Sequence, residues 1–383
     1  MDSIYFDHAA TTAMSPEVLQ AYIEAASFGP GNASSLHSSG RAARERITSA
    51  RDVFATHLHC EPSELIFTGS GTESDNSALF GAALAQRKRG RNGIVTTAVE
   101  HHAVLNACRQ LEAQGFSLTV LPVDEFGRVA VADAQAAIND TTAIVSVMAG
   151  NNETGTIQPI AEIGEWARKH KAYMHVDAVQ AFGYLSFDLK EMPIDFLSLS
   201  AHKINGPQGV GLLYVRKGTP FQPLLFGGSQ ERNRRAGTEN IAGIVAFAKA
   251  AELAYDQLQT RWNHVESIRE AVLQRLTEQL GEDRFIINGH PTERLPHILN
   301  LSFTGISSES MLMNLDLAGV SASGGSACNS GSLKPSHVLT AMNISSERVS
   351  SAVRFSFGLG NTREEADNLA KITATISARL RNR

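Results

Sequence analysis

The sequence predicts an α/β protein with a mainly parallel sheet, followed by a smaller α+β unit. Short β-rich runs alternate with longer runs of helical periodicity through the first part of the chain. That is the pattern of parallel strands joined by crossover helices. A long helical stretch from about Ile241 to Leu280 then breaks the alternation. The chain has 383 residues, of which 43% are hydrophobic and 19% charged, enough for one large domain with a substantial core and a companion.

In order, helical periodicity fits Pro16–Ser27 and Gly40–His57, and a β run fits Leu65–Thr68. Helix Ser74–Gln86, strand Gly93–Thr97, helix Ala103–Gln114 and strands Ser117–Leu121 and Ala143–Val147 follow. Helix Ile160–Lys169 precedes strands Tyr173–Val176, Phe196–Ser200 and Gly211–Val215. Beyond the long helical stretch, strands Ile298–Phe303 and Val353–Phe357 mix with helices Ser308–Leu317, Ser336–Met342 and Thr362–Leu380. The Gly/Ser-dense stretch Ser321–Ser332 has the composition of a mobile loop.

Several function classes fall on composition. A formal net charge of −5 and a pI near 6.2 argue against bulk binding to nucleic acid or to an acidic membrane. No stretch approaches the roughly 18–20 apolar residues of a spanning helix. The N-terminus has no cationic region ahead of an apolar run, so no signal peptide is expected. Cys60, Cys108 and Cys328 are too scattered for a disulfide framework and form no CxxC pair, which points to a reducing cytoplasm.

Chemistry concentrates at strand ends. Lys203, after Phe196–Ser200, sits in a small-residue setting where partial desolvation would make it a Schiff-base nucleophile. A solvated lysine opening a loop is the alternative. Asp177 ends the preceding strand, where a carboxylate is costly unless it meets a cation. A protonated pyridine nitrogen of pyridoxal phosphate would serve, with Gln180 in reach of the ring oxygen; an Asp that caps the next helix is the other reading. Gly69-Ser70-Gly71-Thr72 is a strand-to-helix turn whose free N–H groups and helix dipole suit a phosphate, though a capped helix looks the same.

His101-His102 invites a zinc reading, but adjacent residues do not converge on one metal and no partners sit at suitable spacing. An imidazole stacked on an aromatic cofactor fits better; a histidine at a helix start is equally compatible. Cys328, central in the Gly/Ser loop, is a candidate nucleophile that visits a site and leaves, while Cys60 and Cys108 read as core. Arg354, inside an apolar strand, needs an anion: a substrate carboxylate or an internal acid. Arg232, Arg234 and Arg235 form a polar segment, either a solvated loop or a subunit contact near the phosphate.

Together these motifs resemble the cysteine desulfurases of the NifS/IscS type, in the class-V aminotransferase group. The likeness runs from Tyr5-Phe6-Asp7-His8-Ala9-Ala10-Thr11-Thr12 through Asn151-Asn152-Glu153-Thr154-Gly155 and Ser200-Ala201-His202-Lys203 to Gly325-Ser326-Ala327-Cys328. It implies the fold-type-I architecture of pyridoxal-phosphate enzymes. The large cofactor-binding domain would span 14–258, and residues 1–13 with 259–383 would form the small one.

By resemblance, Lys203 carries the cofactor, Asp177 pairs with the ring nitrogen, Gln180 bonds the ring oxygen and His101 stacks on the ring. Gly71, Thr72, Ser200 and His202 hold the phosphate, joined by Thr238 from the second subunit of a homodimer. Asn152 and Arg354 grip the substrate carboxylate, and Cys328 accepts sulfur from L-cysteine and passes it to an acceptor protein. Gly150 departs from the family, where a bulkier apolar residue is usual. Other expected readings of the same fold are an aminotransferase or a selenocysteine lyase. A thiol-bearing carrier or scaffold without cofactor is the reading from a different class.

Overall fold

The computed structural model describes residues 4–324 and 335–381. Cys328 lies outside the described residues. The strands, in chain order, are β1 (Ile4–Tyr5), β2 (Leu65–Thr68), β3 (Gly93–Thr97), β4 (Ser117–Leu121), β5 (Thr142–Ser146) and β6 (Tyr173–Asp177). They continue with β7 (Phe196–Ser200), β8 (Gly211–Val215), β9 (Phe285–Asn288), β10 (Ile298–Phe303), β11 (Val320–Ser321) and β12 (Ala352–Ser356).

Seven strands form the central sheet in the order β2-β8-β7-β6-β5-β3-β4. The pairs from β7 through β6, β5 and β3 to β4 are parallel, and β8 runs antiparallel to both β7 and β2. Every residue of β2, β5, β7 and β8 is buried, as expected of strands covered on both faces. Alternate residues serve two apolar layers. Ile66, Leu213 and Val215 pack with Ala78, Val104 and Cys108 on one face, and Leu65, Leu212 and Tyr214 join the larger core on the other.

The expected long helical stretch is two helices, Ile241–Asp256 and Leu258–Leu280, separated at Gln257, whose φ of −111° and ψ of 17° leave the helical region. Beyond the break, β12, β10 and β9 form a separate antiparallel sheet. β1 pairs in parallel with β11, and Ser356 N–H donates to the Phe6 carbonyl at 2.7 Å. The N-terminus is thereby stitched to the last third of the chain.

Because β6 and β7 are parallel, Asp177 and Ser200 emerge at the same sheet edge, and Thr68 and Ser200 share Gly211 as their register partner. Ligands of open α/β sheets bind at such carboxyl ends.

Candidate active site

A cavity of about 390 Å³ opens at that edge. Lys203, Asp177, Gln180, Ser200 and His202 line it from the ends of β6 and β7, and Gly71 and Thr72 from the turn after β2. His101, Asn152 and Arg354 complete its walls. Thr238 does not line it and is exposed. The ten predicted residues that converge come from six separate chain segments.

After Ser200 the chain makes one 3-10 turn, Ala201–Lys203, which swings the lysine over the strand ends. Its Nζ donates to the carbonyls of Ala9 (2.6 Å) and Ala10 (2.7 Å), so the ammonium is half-buried and held from the N-terminal segment. Gln180 is tied to the same segment through Nε2, which donates to the Ala9 carbonyl at 2.9 Å. His202 Nδ1 lies 3.2 Å from Thr11 Oγ1, and burial followed by the Lys203 charge pulls its pKa down to about 4.

Buried acids gather at and beneath the cavity. Asp177 Oδ1 accepts the Val179 N–H at 2.9 Å in a turn; no helix follows before β7, so it is not the helix cap of the other reading, and Asp177 lines the cavity. Burial, then the Asp75 charge, pushes its pKa up to about 7. Asp75 is likewise raised to about 7, and Glu100 to about 8, in each case mainly by burial. His175 sits beneath them, with Nδ1 2.8 Å from Ser146 Oγ and Nε2 3.0 Å from Ser198 Oγ; burial lowers it to about 4. Asp75, Glu100 and His175 carry no role in the sequence reading. Only His175 has a sequence signal, a titratable group inside the apolar run Met174-His175-Val176, while Asp75 and Glu100 have polar residues beside them.

His101 starts a helix, as one reading of the sequence had it, and also faces the cavity. It caps the helix His102–Ala113, its Nδ1 accepting the Ala103 N–H at 3.1 Å, and it lines the cavity. Burial and the Lys203 charge lower its pKa to about 4, which keeps the imidazole neutral. Arg354 meets the internal acid that one of its two readings required. Nη2 pairs with Asp7 at 2.9 Å and Nη1 donates to the Asn152 carbonyl at 2.8 Å, while the buried Nε has no partner among the described residues. An internal acid is therefore present, and Arg354 is also among the residues that line the cavity. Arg235 is anchored to the phosphate-type turn through Glu73, at 2.8 Å.

These residues fit a phosphorylated aromatic cofactor with a basic ring nitrogen. Ser200 Oγ is buried with no hydrogen-bond partner among the described residues. Beside it, a Cβ on Gly71 would fall 2.7 Å from Val179 Cγ2 and 3.4 Å from Ser200 Cβ, so only glycine lets the turn close on that space. The helix Gly71–Arg87 starts there, aiming its first N–H groups and dipole at the cavity. Asp177 supplies a buried acid with no ion pair among the described residues, and Lys203 an amine at the rim.

The class-V aminotransferase model matches residues 4–369. The chain belongs to the class-V aminotransferase family. Members of this family depend on pyridoxal phosphate, which the donor set accommodates. The chain is 49% identical over 381 residues to the Bacillus subtilis (strain 168) protein named "Putative cysteine desulfurase IscS 1", covering 99% of this chain and all of that one. It is 45% identical to cysteine desulfurase IscS of Methanosarcina thermophila, over 99% of this chain and 93% of that one. Among solved structures, a NifS-like protein superposes with a TM-score of 0.91 at 36% identity, covering 98% of this chain and 99% of the other. The structure described as "SspA in complex with cysteine" has a TM-score of 0.80 at 32% identity, over 93% and 99% of the two chains.

Class-V membership also accounts for the fold-type-I architecture. The departure at Gly150 has a local cause: a Cβ there would meet Leu295 Cδ1 at 2.6 Å, so Leu295 occupies the space a bulkier residue would need.

Proposed function

We propose that this chain is a pyridoxal-phosphate-dependent cysteine desulfurase, converting L-cysteine to L-alanine and moving the sulfur onto Cys328. The observation that carries this is the convergence of Lys203, Asp177, Ser200 and Arg354 on one cavity, in a chain resembling named cysteine desulfurases over its whole length. Pyridoxal phosphate, when bound, supplies an electron sink that acidifies the Cα–H bond of an amino acid.

Asp177 would hold a cationic ring nitrogen by its carboxylate, and Gly71, Thr72, Ser200 and His202 would hold the phosphate. Neutral His101 would pack on the ring, and Gln180 would serve the ring oxygen. Arg354 would orient the substrate carboxylate, beside Asn152. The Lys203 amine takes the Cα proton. Cys328 thiolate then attacks the substrate sulfur: an S–S bond forms, the Cβ–S bond breaks, and its electron pair stays with carbon, which takes up a proton. Cys328 is left as a persulfide and alanine departs.

The chain then serves as a sulfur donor to an acceptor protein, for iron–sulfur cluster assembly or for tRNA or cofactor thiolation. It acts as a homodimer in which Thr238, exposed and outside the cavity of its own chain, completes the phosphate site of the second copy. The division into 14–258 and 1–13 with 259–383 follows the break at Gln257. A cytoplasmic setting suits free thiols, and no helix among the described residues is long and apolar enough to cross a membrane.

A visible spectrum of purified protein, then cysteine addition with alanine and sulfide assays on wild type and Cys328→Ala, tests this. The expected result is a yellow protein that forms alanine and, with a reductant, sulfide only when Cys328 is present. Cysteine turnover that survives loss of Cys328 would make it another lyase or a transaminase. A colourless protein that cannot be loaded with pyridoxal phosphate would leave the thiol carrier.

A further inference from the structure

The opposite edge of the central sheet carries a second cavity, of about 540 Å³. It lies at the N-terminal ends of the parallel strands, so the length of β6 separates it from Asp177 and the catalytic cavity. Arg89 and Arg91 reach it from the connection before β3, Arg168 and Lys171 from the connection before β6, and Arg216 from the residue after β8. Five cations thus border one space in a chain of formal net charge −5.

Acids offset only part of this charge: Asp140, exposed and paired with His170, also senses Arg91 and Lys171. Asp195 lies in the same wall, 3.9 Å from Arg216 Nε, but its Oδ2 accepts the Met174 N–H at 2.8 Å. Glu165 pairs with Arg168 at the surface, at 3.3 Å. Arg89, Arg91 and Lys171 have no acid within ion-pair distance among the described residues.

Neutral carbonyls fix the guanidinium groups without removing their charge. Arg91 Nη1 donates to the carbonyls of His170 (2.8 Å) and Thr142 (3.1 Å). Arg216 donates to those of Leu189, Met192 and Ile194, at 2.7–2.9 Å. One more group in the wall lacks a partner. Gln86 is 2% exposed; its Nε2 donates to the Lys171 carbonyl, and its buried Oε1 has no donor among the described residues. Buried polar atoms are normally paired, so an unmatched acceptor inside a cationic cavity points to a ligand with both an anion and an adjacent O–H or N–H.

We propose that this cavity is a binding site for a phosphate-bearing small molecule. Arg89, Arg91 and Lys171 take its phosphate oxygens, because guanidinium forks and ammonium groups are the side chains suited to them. Gln86 Oε1 takes a hydroxyl or N–H donor next to the phosphate. The half-exposed ring of Tyr173, whose hydroxyl lies 3.5 Å from Arg89 Nη1, offers a face to a base if the molecule is a nucleotide. The volume falls within the usual range for small-molecule sites.

Calorimetric titration of the pyridoxal-phosphate-loaded full chain with pyrophosphate, and separately with ATP, tests this. Loading keeps the catalytic phosphate cradle occupied. The expected result is saturable binding, one molecule per chain, that weakens with added salt and falls about tenfold or more in Arg89→Gln/Lys171→Gln. These two residues are exposed, so the variant should fold and retain basal cysteine turnover. ATP binding more tightly than pyrophosphate, with the difference lost in Tyr173→Leu, identifies a nucleotide. Equal affinity identifies phosphate recognition alone, and either result upholds the site. No saturable heat at millimolar ligand, or binding unchanged in Arg89→Gln/Lys171→Gln, overturns it.

Discussion

Arg354 Nη2 lies 2.9 Å from Asp7 Oδ1, joining a residue of the candidate active-site cavity to one 347 positions away in the chain. The pair exists because β1 adds to β11 and carries Asp7 onto β12, where it bridges Ser356. A guanidinium only 2% exposed would be costly without that acid. The same acid would oppose a substrate carboxylate bound at Arg354 as proposed. Asp7→Asn, which keeps an acceptor for Nη2, should therefore lower the thermal midpoint and lower KM for cysteine, with kcat little changed. Asp7→Ala removes the acceptor too, lets the guanidinium turn, and should raise KM about tenfold, about 1.4 kcal/mol. Steady-state kinetics on both variants decides it: KM values that move together would mean that Asp7 does not orient Arg354.

Ser200 offers a prediction with opposite signs in two states. Its Oγ is buried and lacks a partner among the described residues, and leaving such a group unmatched costs about 1–3 kcal/mol. Ser200→Ala should raise the thermal midpoint of the cofactor-free protein and weaken pyridoxal phosphate binding. Thermal scans with and without cofactor, together with a cofactor titration, separate the two effects. A variant destabilised in both states would show that Ser200 serves the core rather than the phosphate.

Gly71 should be intolerant for a steric reason. Any Cβ there meets Val179 Cγ2 at 2.7 Å, and Val179 is fixed by the Asp177 turn. Gly71→Ala must push the turn away from Ser200, costing about 1–3 kcal/mol in overpacking and loosening the cofactor. Faster loss of colour on dialysis than in wild type is the expected outcome. Equal retention would mean that the turn does not approach the phosphate.

The sequence made the strand ends legible because β6 and β7 are apolar runs closed by single polar residues, Asp177 and Ser200. It could not show what meets those residues from a distance. The Ala9 and Ala10 carbonyls under Lys203 are backbone groups, and no residue type marks them. Ser336 Oγ donates to Glu153 at 2.5 Å and His337 Nε2 meets the Glu100 carbonyl at 2.9 Å, contacts set by tertiary packing across about half the chain. β9 escaped notice because its central residues, Ile286 and Ile287, are both exposed, so Phe285–Asn288 has no period-two signature. The helix Val131–Ala137 has seven residues and no side-chain cap, too little to stand out. The Gln257 break has no Pro or Gly to announce it.

The charges around the cavity make the cofactor-free protein sensitive to pH in a defined window. His101, His175 and His202 are lowered from 6.5 to about 4, so the folded state binds fewer protons than the unfolded chain and stability rises with pH up to about 6.5. Asp75, Asp177 and Glu100 are raised to about 7, 7 and 8, so their contribution is fullest at acid pH and is lost as pH rises through those values. Below about 6.5 the two sets oppose one another. From 6.5 to 8 only the acids remain, and the thermal midpoint should fall, by up to about 1.4 kcal/mol per pH unit for each proton lost. Asp177→Asn removes one of these ionisations and should flatten the slope. Bound pyridoxal phosphate, held as proposed, would set a cation against Asp177 and should flatten it too. Thermal denaturation at pH 6.5 and 8, on cofactor-free, loaded and Asp177→Asn protein, reads all three. A midpoint that climbs across this interval in the cofactor-free protein would mean that the acids are already ionised at pH 6.5, and Asp177 would then need a permanent cation partner within the protein itself.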